Sequence, residues 1–322
     1  MKRALRLMAG LLVGAASSLG AAAADDVKEL IGDPKAIVGT LDPVKTRAAG
    51  LKASEAAEKI GWRIGSQAYT LRDRTLTEAL DTMYLLGLKY VECYPGQGVS
   101  PEMKNVKFQP GLSAEAIALV KKKLDQTGIK VLSLGVTGIP GDEAGARKYF
   151  EFAKEFGMER LVTEEKEDHF PLLQKLGDEF NVDIALHNHP KPSYYWDPEH
   201  VKTAVKDFPR IGSGADVGHW QRSAIKPIEA LKVLEGRVFE SHFKDLNEFG
   251  SGKAHDVPWG TGTGDAKGML EEIHRQAGKV GGASKVMTFN IEYETGRGVE
   301  LVGNMNKCIE WFGQQCEELG KK

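Results

Sequence analysis

The chain has 322 residues, 41% hydrophobic and 27% charged, with a formal net charge of −2. It is long enough to bury a substantial core, and the composition is that of an ordinary soluble protein. The near-neutral balance argues against a surface built to hold nucleic acid. After the first ~30 residues no apolar run is long enough to span a bilayer.

The chain opens on Lys2, Arg3 and Arg6, then the apolar stretch LMAGLLVGAASSLG, then AAAA before Asp25 and Asp26. This pattern predicts an export signal over residues 1–24, cleaved after Ala24. The mature protein is therefore expected to be periplasmic or secreted, with no membrane association after cleavage, and a phosphorylated cytosolic metabolite is not the expected substrate. Export permits disulfides, yet three cysteines suggest no framework. Cys308 and Cys316 lie on one predicted helix, roughly 12 Å apart at its rise per residue, which is too far to bridge. Cys93 reads as a small buried hydrophobe.

Residues 25–62, polar and Ala/Lys-rich with Pro34 and Pro43, read as an N-terminal extension of the main domain, residues 63–322. From Arg63 strand-like and helix-like runs alternate. The predicted strands are RIGSQAYT, LKYVECY, IKVLSLGV, ERLVTE, VDIALHNH, RIGSGADV, RVFESHF and VMTFNIEY. Predicted helices begin near Leu76, Ser113, Asp142, Phe170, Asp197, Pro227, Ala266 and Val299. Ser113 followed by Glu115 supplies an N-cap and early negative charge, and Asp197-Pro198 places proline in a first turn. Gly87, Gly128, Gly157 and Gly236 close helices. Eight alternations fit a single-domain α/β (β/α)₈ TIM barrel, with an open doubly wound sheet as the competing arrangement.

Glu164, His187, Asp216, His242 and Glu292 each sit in or just after a short apolar run that reads as one of these strands. In a parallel barrel the strand ends meet at one mouth, where such side chains converge. Carboxylates mixed with imidazoles suit a divalent metal such as Zn²⁺, Mn²⁺ or Co²⁺. His189 follows His187, and Lys244 follows His242, at same-face spacing. The glycine-rich stretch HDVPWGTGTGD, residues 255–265, has no Lys-Ser/Thr at phosphate-loop spacing.

The segments ALHNHP, ADVGHW, ESHFKD, HDVPWGTGTGD and NIEYE resemble the xylose isomerase-like superfamily of sugar isomerases and epimerases. The resemblance runs from about Arg63 to the C-terminus. It implies a barrel with a divalent metal at its C-terminal mouth and sugar or keto-sugar substrates. By that likeness Asp216, His242 and Glu292 are metal ligands, Glu292 doubles as an acid/base, and His219 contacts substrate. The sugar 3-epimerases of the superfamily usually carry a glutamate where this chain has His187. His187 is expected to keep the metal role, with Glu164 a candidate fifth ligand or general base and His189 a candidate for the missing base or for binding a hydroxyl. Lys244 is a candidate for a substrate oxygen or an enolate. Trp220 and Trp259 are candidate walls against sugar C–H faces, Gln67 and Tyr69 candidate pocket lining, and Tyr293 and Glu294 candidate rim residues. The 255–265 loop is expected to close part of the pocket.

The resemblance, with the export signal, implies an exported, metal-dependent sugar isomerase or epimerase that removes a proton beside a carbonyl and passes through an enediolate. A metal-dependent lyase or dehydratase on a keto-sugar or keto-glycoside is the alternative, favoured by the missing strand-five glutamate. A non-catalytic carbohydrate-binding protein is a third reading. Apurinic endonucleases share the fold, but export and charge speak against a DNA substrate.

Overall fold

Two aspartates start the described chain's order. In the computed structural model, which describes residues 30–321, Asp33 and Asp42 each cap a helix that begins on proline. These are α1 (Pro34–Val38) and α2 (Pro43–Lys59). The leader reading of residues 1–24 lies outside the described residues. Helix α2 packs on the C-terminal helix, where a Cβ on Gly313 would stand 2.6 Å from the Cβ of Ala53. On its other side a Cβ on Gly50 would meet the Leu86 carbonyl oxygen at 1.8 Å. Only glycine allows these two approaches.

The strands are β1 (Trp62–Gln67), β2 (Tyr90–Cys93), β3 (Lys130–Leu134), β4 (Arg160–Thr163), β5 (Asp183–His187), β6 (Ile211–Asp216), β7 (Val238–Phe243) and β10 (Met287–Ile291). They pair in parallel and close in the order β1-β2-β3-β4-β5-β6-β7-β10. The barrel is closed, which settles the choice against an open sheet. A two-stranded antiparallel insert, β8 (Asp245–Leu246) with β9 (Asp256–Val257), follows β7.

The outer helices are α3 (Leu76–Leu85), α4 (Ala114–Thr127), α5 (Glu143–Phe156), α6 (Phe170–Phe180), α7 (Pro198–Val205), α8 (Val217–Arg222), α9 (Pro227–Val233), α10 (Ala266–Arg275) and α11 (Gly298–Leu319). All but α8 start within one residue of their expected places, because the caps are local: Ser113, Asp142 and Asp197 accept from first-turn amides. The short α8 and the β8–β9 insert had no periodic signal in the sequence. The strand expected to run to Thr70 ends at Gln67, whose side chain caps a 3₁₀ turn. The three cysteines are buried and unpaired.

The apolar core lies between strands and helices, and the barrel's interior floor is polar. Ser133 Oγ donates to Glu240 Oε2 across the barrel at 3.1 Å, with Arg160 3.8 Å from that carboxylate. Asn290 Nδ2 donates to Glu92 Oε2 at 2.9 Å. These groups are all buried, and they support the strand ends that carry the site.

Candidate active site

Register brings the strand-end side chains together. Asp216 is the Cα partner of His242 across β6 and β7, and His242 pairs with Asn290 two residues before Glu292. Asn188, just past β5, ties the two sides of this mouth. It donates to the Asp216 carbonyl and accepts the Asp216 amide, both at 2.9 Å.

Four expected ligands meet: one donor atom from each of His187, Asp216, His242 and Glu292 lies within 4.8 Å of the others. His187 Nε2, Asp216 Oδ2 and His242 Nδ1 are buried without a hydrogen-bond partner. Buried polar atoms are rarely left so, and this group of donor atoms could hold a metal ion.

The far side of each imidazole is held by a carboxylate. His187 Nδ1 is 2.9 Å from Glu164 Oε1, and His242 Nε2 is 2.8 Å from Glu92 Oε2. In a neutral ring, donation there would leave the inward nitrogen as an acceptor, the arrangement that suits a metal-binding histidine. Without an ion, burial would lower both rings, but the surrounding carboxylates outweigh it and raise them, His242 well above its usual range. Glu92 escaped the sequence reading because it sits on β2, 150 residues from its partner. A charged residue inside the strand run YVEC was the available signal.

A cavity of about 260 Å³ opens beside the cluster, walled by His187, His189, His219, Glu292 and Glu294 on one side. Gln67, Tyr69, Tyr94 and Val136 wall the other, so the two strand-one candidates do face it. His189 is half exposed there, its Nδ1 hydrogen-bonded to Glu164. Glu164 is not among the lining side chains and stands behind both imidazoles. Burial alone would push its acid up, but the hydrogen bonds from His187 and His189 outweigh this and hold it at about 2. That makes it a weak base and a strong orienting acceptor.

His219 follows from Asp216, whose Oδ1 accepts its backbone amide at 2.7 Å and starts α8. Its Nδ1 lies 3.0 Å from Arg222 Nη1, a donor, which leaves Nε2 carrying the hydrogen. Burial holds this imidazole well below its usual range, so it is neutral.

Other expectations are corrected. Lys244 is not a rim residue and does not line the cavity; its side chain is fully buried among carboxylates. Burial would lower its ammonium, yet Asp216, Glu292 and Glu294 outweigh that and hold it well above the usual range, so it is no base. Trp220 and Trp259 are not pocket walls. Both are core side chains, 1% and 2% exposed, and Trp259 packs on Phe243 at 4.8 Å between ring centroids. Tyr293 is buried rather than solvated.

The glycine-rich loop does not line the cavity either. It wraps the carboxylate of Asp245, which accepts from the amides of Gly260 and Gly262 at 2.9 Å and Gly264 at 3.1 Å.

No curated protein matches the chain. Among solved structures, an uncharacterised protein from Parabacteroides distasonis is 28% identical, with a TM-score of 0.61 over 80% of this chain and 99% of its own. A xylose isomerase-like TIM barrel protein from Mycobacterium smegmatis, solved in complex with magnesium, is 14% identical, with a TM-score of 0.63 over 81% and 98%. A 3-keto-D-glucoside 4-epimerase from E. coli is 14% identical, with a TM-score of 0.56 over 78% and 98%. The family model described as xylose isomerase-like TIM barrel matches residues 80–281, more than half of the sequence, and the chain belongs to that family.

Proposed function

We propose that the protein is a divalent-metal-dependent isomerase or epimerase of a sugar or keto-sugar, acting by proton abstraction next to a carbonyl. The observation that carries this reading is the convergence of three buried ligand atoms without a hydrogen-bond partner, from His187, Asp216 and His242, beside a polar cavity lined by His189. Two imidazole nitrogens and two carboxylates make a donor set that fits Zn²⁺, Mn²⁺ or Co²⁺. His187, Asp216, His242 and Glu292 would hold the ion, which when bound supplies Lewis-acid polarisation of a carbonyl.

The chain's own residues supply the remainder. His189, with Nδ1 held by Glu164, presents Nε2 to the cavity as the base that takes the proton. His219 offers its Nε2–H to a substrate hydroxyl. Tyr69 and Tyr94, edge to face at 5.3 Å, give the opposite wall an aromatic surface for sugar C–H groups.

One observation favours elimination as a second reading. Glu292 is tied to His242 at 3.1 Å and to Lys244 at 2.7 Å, which leaves His189 as the unencumbered base. One base suffices to remove a proton and expel a β-substituent, whereas inversion at carbon commonly uses two. The proposed compartment, periplasmic or extracellular, rests on residues 1–24 alone.

Proton NMR in D₂O with the metal-loaded protein and a panel of keto-sugars and keto-glycosides tests the proposal. Deuterium should enter at the carbon beside the carbonyl, and the product distinguishes isomer or epimer from an eliminated enone. Absence of exchange across the panel would sink both catalytic readings and leave the carbohydrate-binding one.

A further inference from the structure

Lys244 has no place in that reaction, yet the fold builds a seat for it. Its ammonium lies 2.8 Å from Asp216 Oδ2, 2.7 Å from Glu292 Oε2 and 2.8 Å from Glu294 Oε2, with no side-chain exposure. Of these, the Glu294 contact has hydrogen-bond geometry, while Asp216 Oδ2 remains without a hydrogen-bond partner. The lysine thus leans on two expected metal ligands electrostatically and is fastened to a third carboxylate outside that set. Its stem passes Gly218, where a Cβ would stand 2.7 Å from Lys244 Cδ. Behind it, Gln221 Nε2 donates to the Lys244 carbonyl at 3.1 Å.

A buried ammonium is costly unless closely paired, and three crowded carboxylates are costly without a cation. Each therefore satisfies the other with no ion present. Arg222 Nη1, 3.7 Å from Glu294 Oε2, shares that third carboxylate, so Asp216 and Glu292 are the two that a divalent ion would share with the ammonium.

We propose that Lys244 is a resident counter-cation of the metal site, sharing Asp216 and Glu292 with the divalent ion. It holds the two carboxylates together while the ion is away, and by standing beside their oxygens it weakens the ion's binding. The inference rests on the metal reading proposed above.

The test uses the full chain, stripped with a chelator and titrated with MnCl₂ by calorimetry, with thermal unfolding measured before and after. Stripped wild type should stay folded and unfold in one transition. Lys244→Met, which keeps an apolar stem and removes the charge, should bind Mn²⁺ tighter by on the order of tenfold or more, since a nearby like charge is gone. Stripped, the variant should melt below wild type and regain the difference when Mn²⁺ is added. Recovery of the variant only from Mn²⁺-supplemented medium supports the same conclusion, because the ion then replaces the ammonium. Equal or weaker Mn²⁺ binding by Lys244→Met overturns the inference, as does a variant that stays unfolded with Mn²⁺ present, or stripped wild type that is itself unfolded. Wild type that binds no Mn²⁺ overturns the metal reading itself, which separates the two failures.

Discussion

At the scale of single residues, the site divides into groups that face the cavity and groups that aim them. His189 faces it, and Glu164 aims both His189 and His187. His189→Ala should therefore keep its metal and lose substrate proton exchange by a factor on the order of 10²–10⁴, the usual size of an acid–base contribution. Glu164→Gln should lower metal affinity as well, by roughly 10- to 100-fold, because it no longer fixes the His187 tautomer. Calorimetry and deuterium exchange on the two variants separate these effects, and equal losses of metal in both would refute the division. Asp216→Ala should lose the metal altogether by elemental analysis while the barrel's circular dichroism is unchanged. Asp245 works away from this chemistry, as the acceptor that shapes the 255–265 loop. Asp245→Ala leaves three amides to find other partners, and should destabilise the protein by about 3 kcal/mol in denaturant unfolding.

At the scale of elements, what the sequence made legible was what neighbours along the chain decide. Helix starts were readable because a cap and its amide are two or three residues apart, and strand ends were readable because the apolar run stops there. His187, Asp216, His242 and Glu292 came out of that reading, since parallel closure brings all strand ends to one mouth. Partners set by distant register did not: Glu92 on β2 meets His242 on β7 only after the barrel closes. Lys244 and the two tryptophans were misread because a polar or aromatic residue just past a strand suggests the mouth, whereas Trp220 lies buried on α8, Trp259 packs on Phe243 and Phe312, and Lys244 turns in among carboxylates. Helix α2 gives the sharpest test at this scale. It approaches the end of α3 so closely at Gly50 that a Cβ cannot enter without moving backbone. Gly50→Ala should cost about 1–3 kcal/mol by overpacking, although alanine favours helix. An unchanged or raised melting temperature would show that α2 is free to shift.

At the scale of the whole molecule, the order of α2 decides where the folded unit begins. Cleavage after Ala24 would remove a basic, apolar leader and leave eight residues before the Asp33 cap, so every described element would be kept. Protein recovered from the exported fraction should therefore start at Asp25 by mass spectrometry, and a chain expressed from Asp25 should melt where the exported protein does. A start at Gly61 is a different matter. It keeps every barrel strand but removes the side chains of Ala53, Ala56 and Ala57, buried at 4%, 7% and 0% exposure. It also uncovers the face of α11 at Gly313 and removes the Lys52–Glu317 ion pair at 2.9 Å. The exposed pair is worth little, while the apolar face is worth about 25 cal/mol for each Å² returned to water. The Gly61 chain should accordingly melt well below the Asp25 chain or fail to stay in solution. Equal melting temperatures for the two would mean that residues 25–60 only ride on the barrel, and an intact Met1 on the native protein would withdraw export and reopen phosphorylated sugars as substrates.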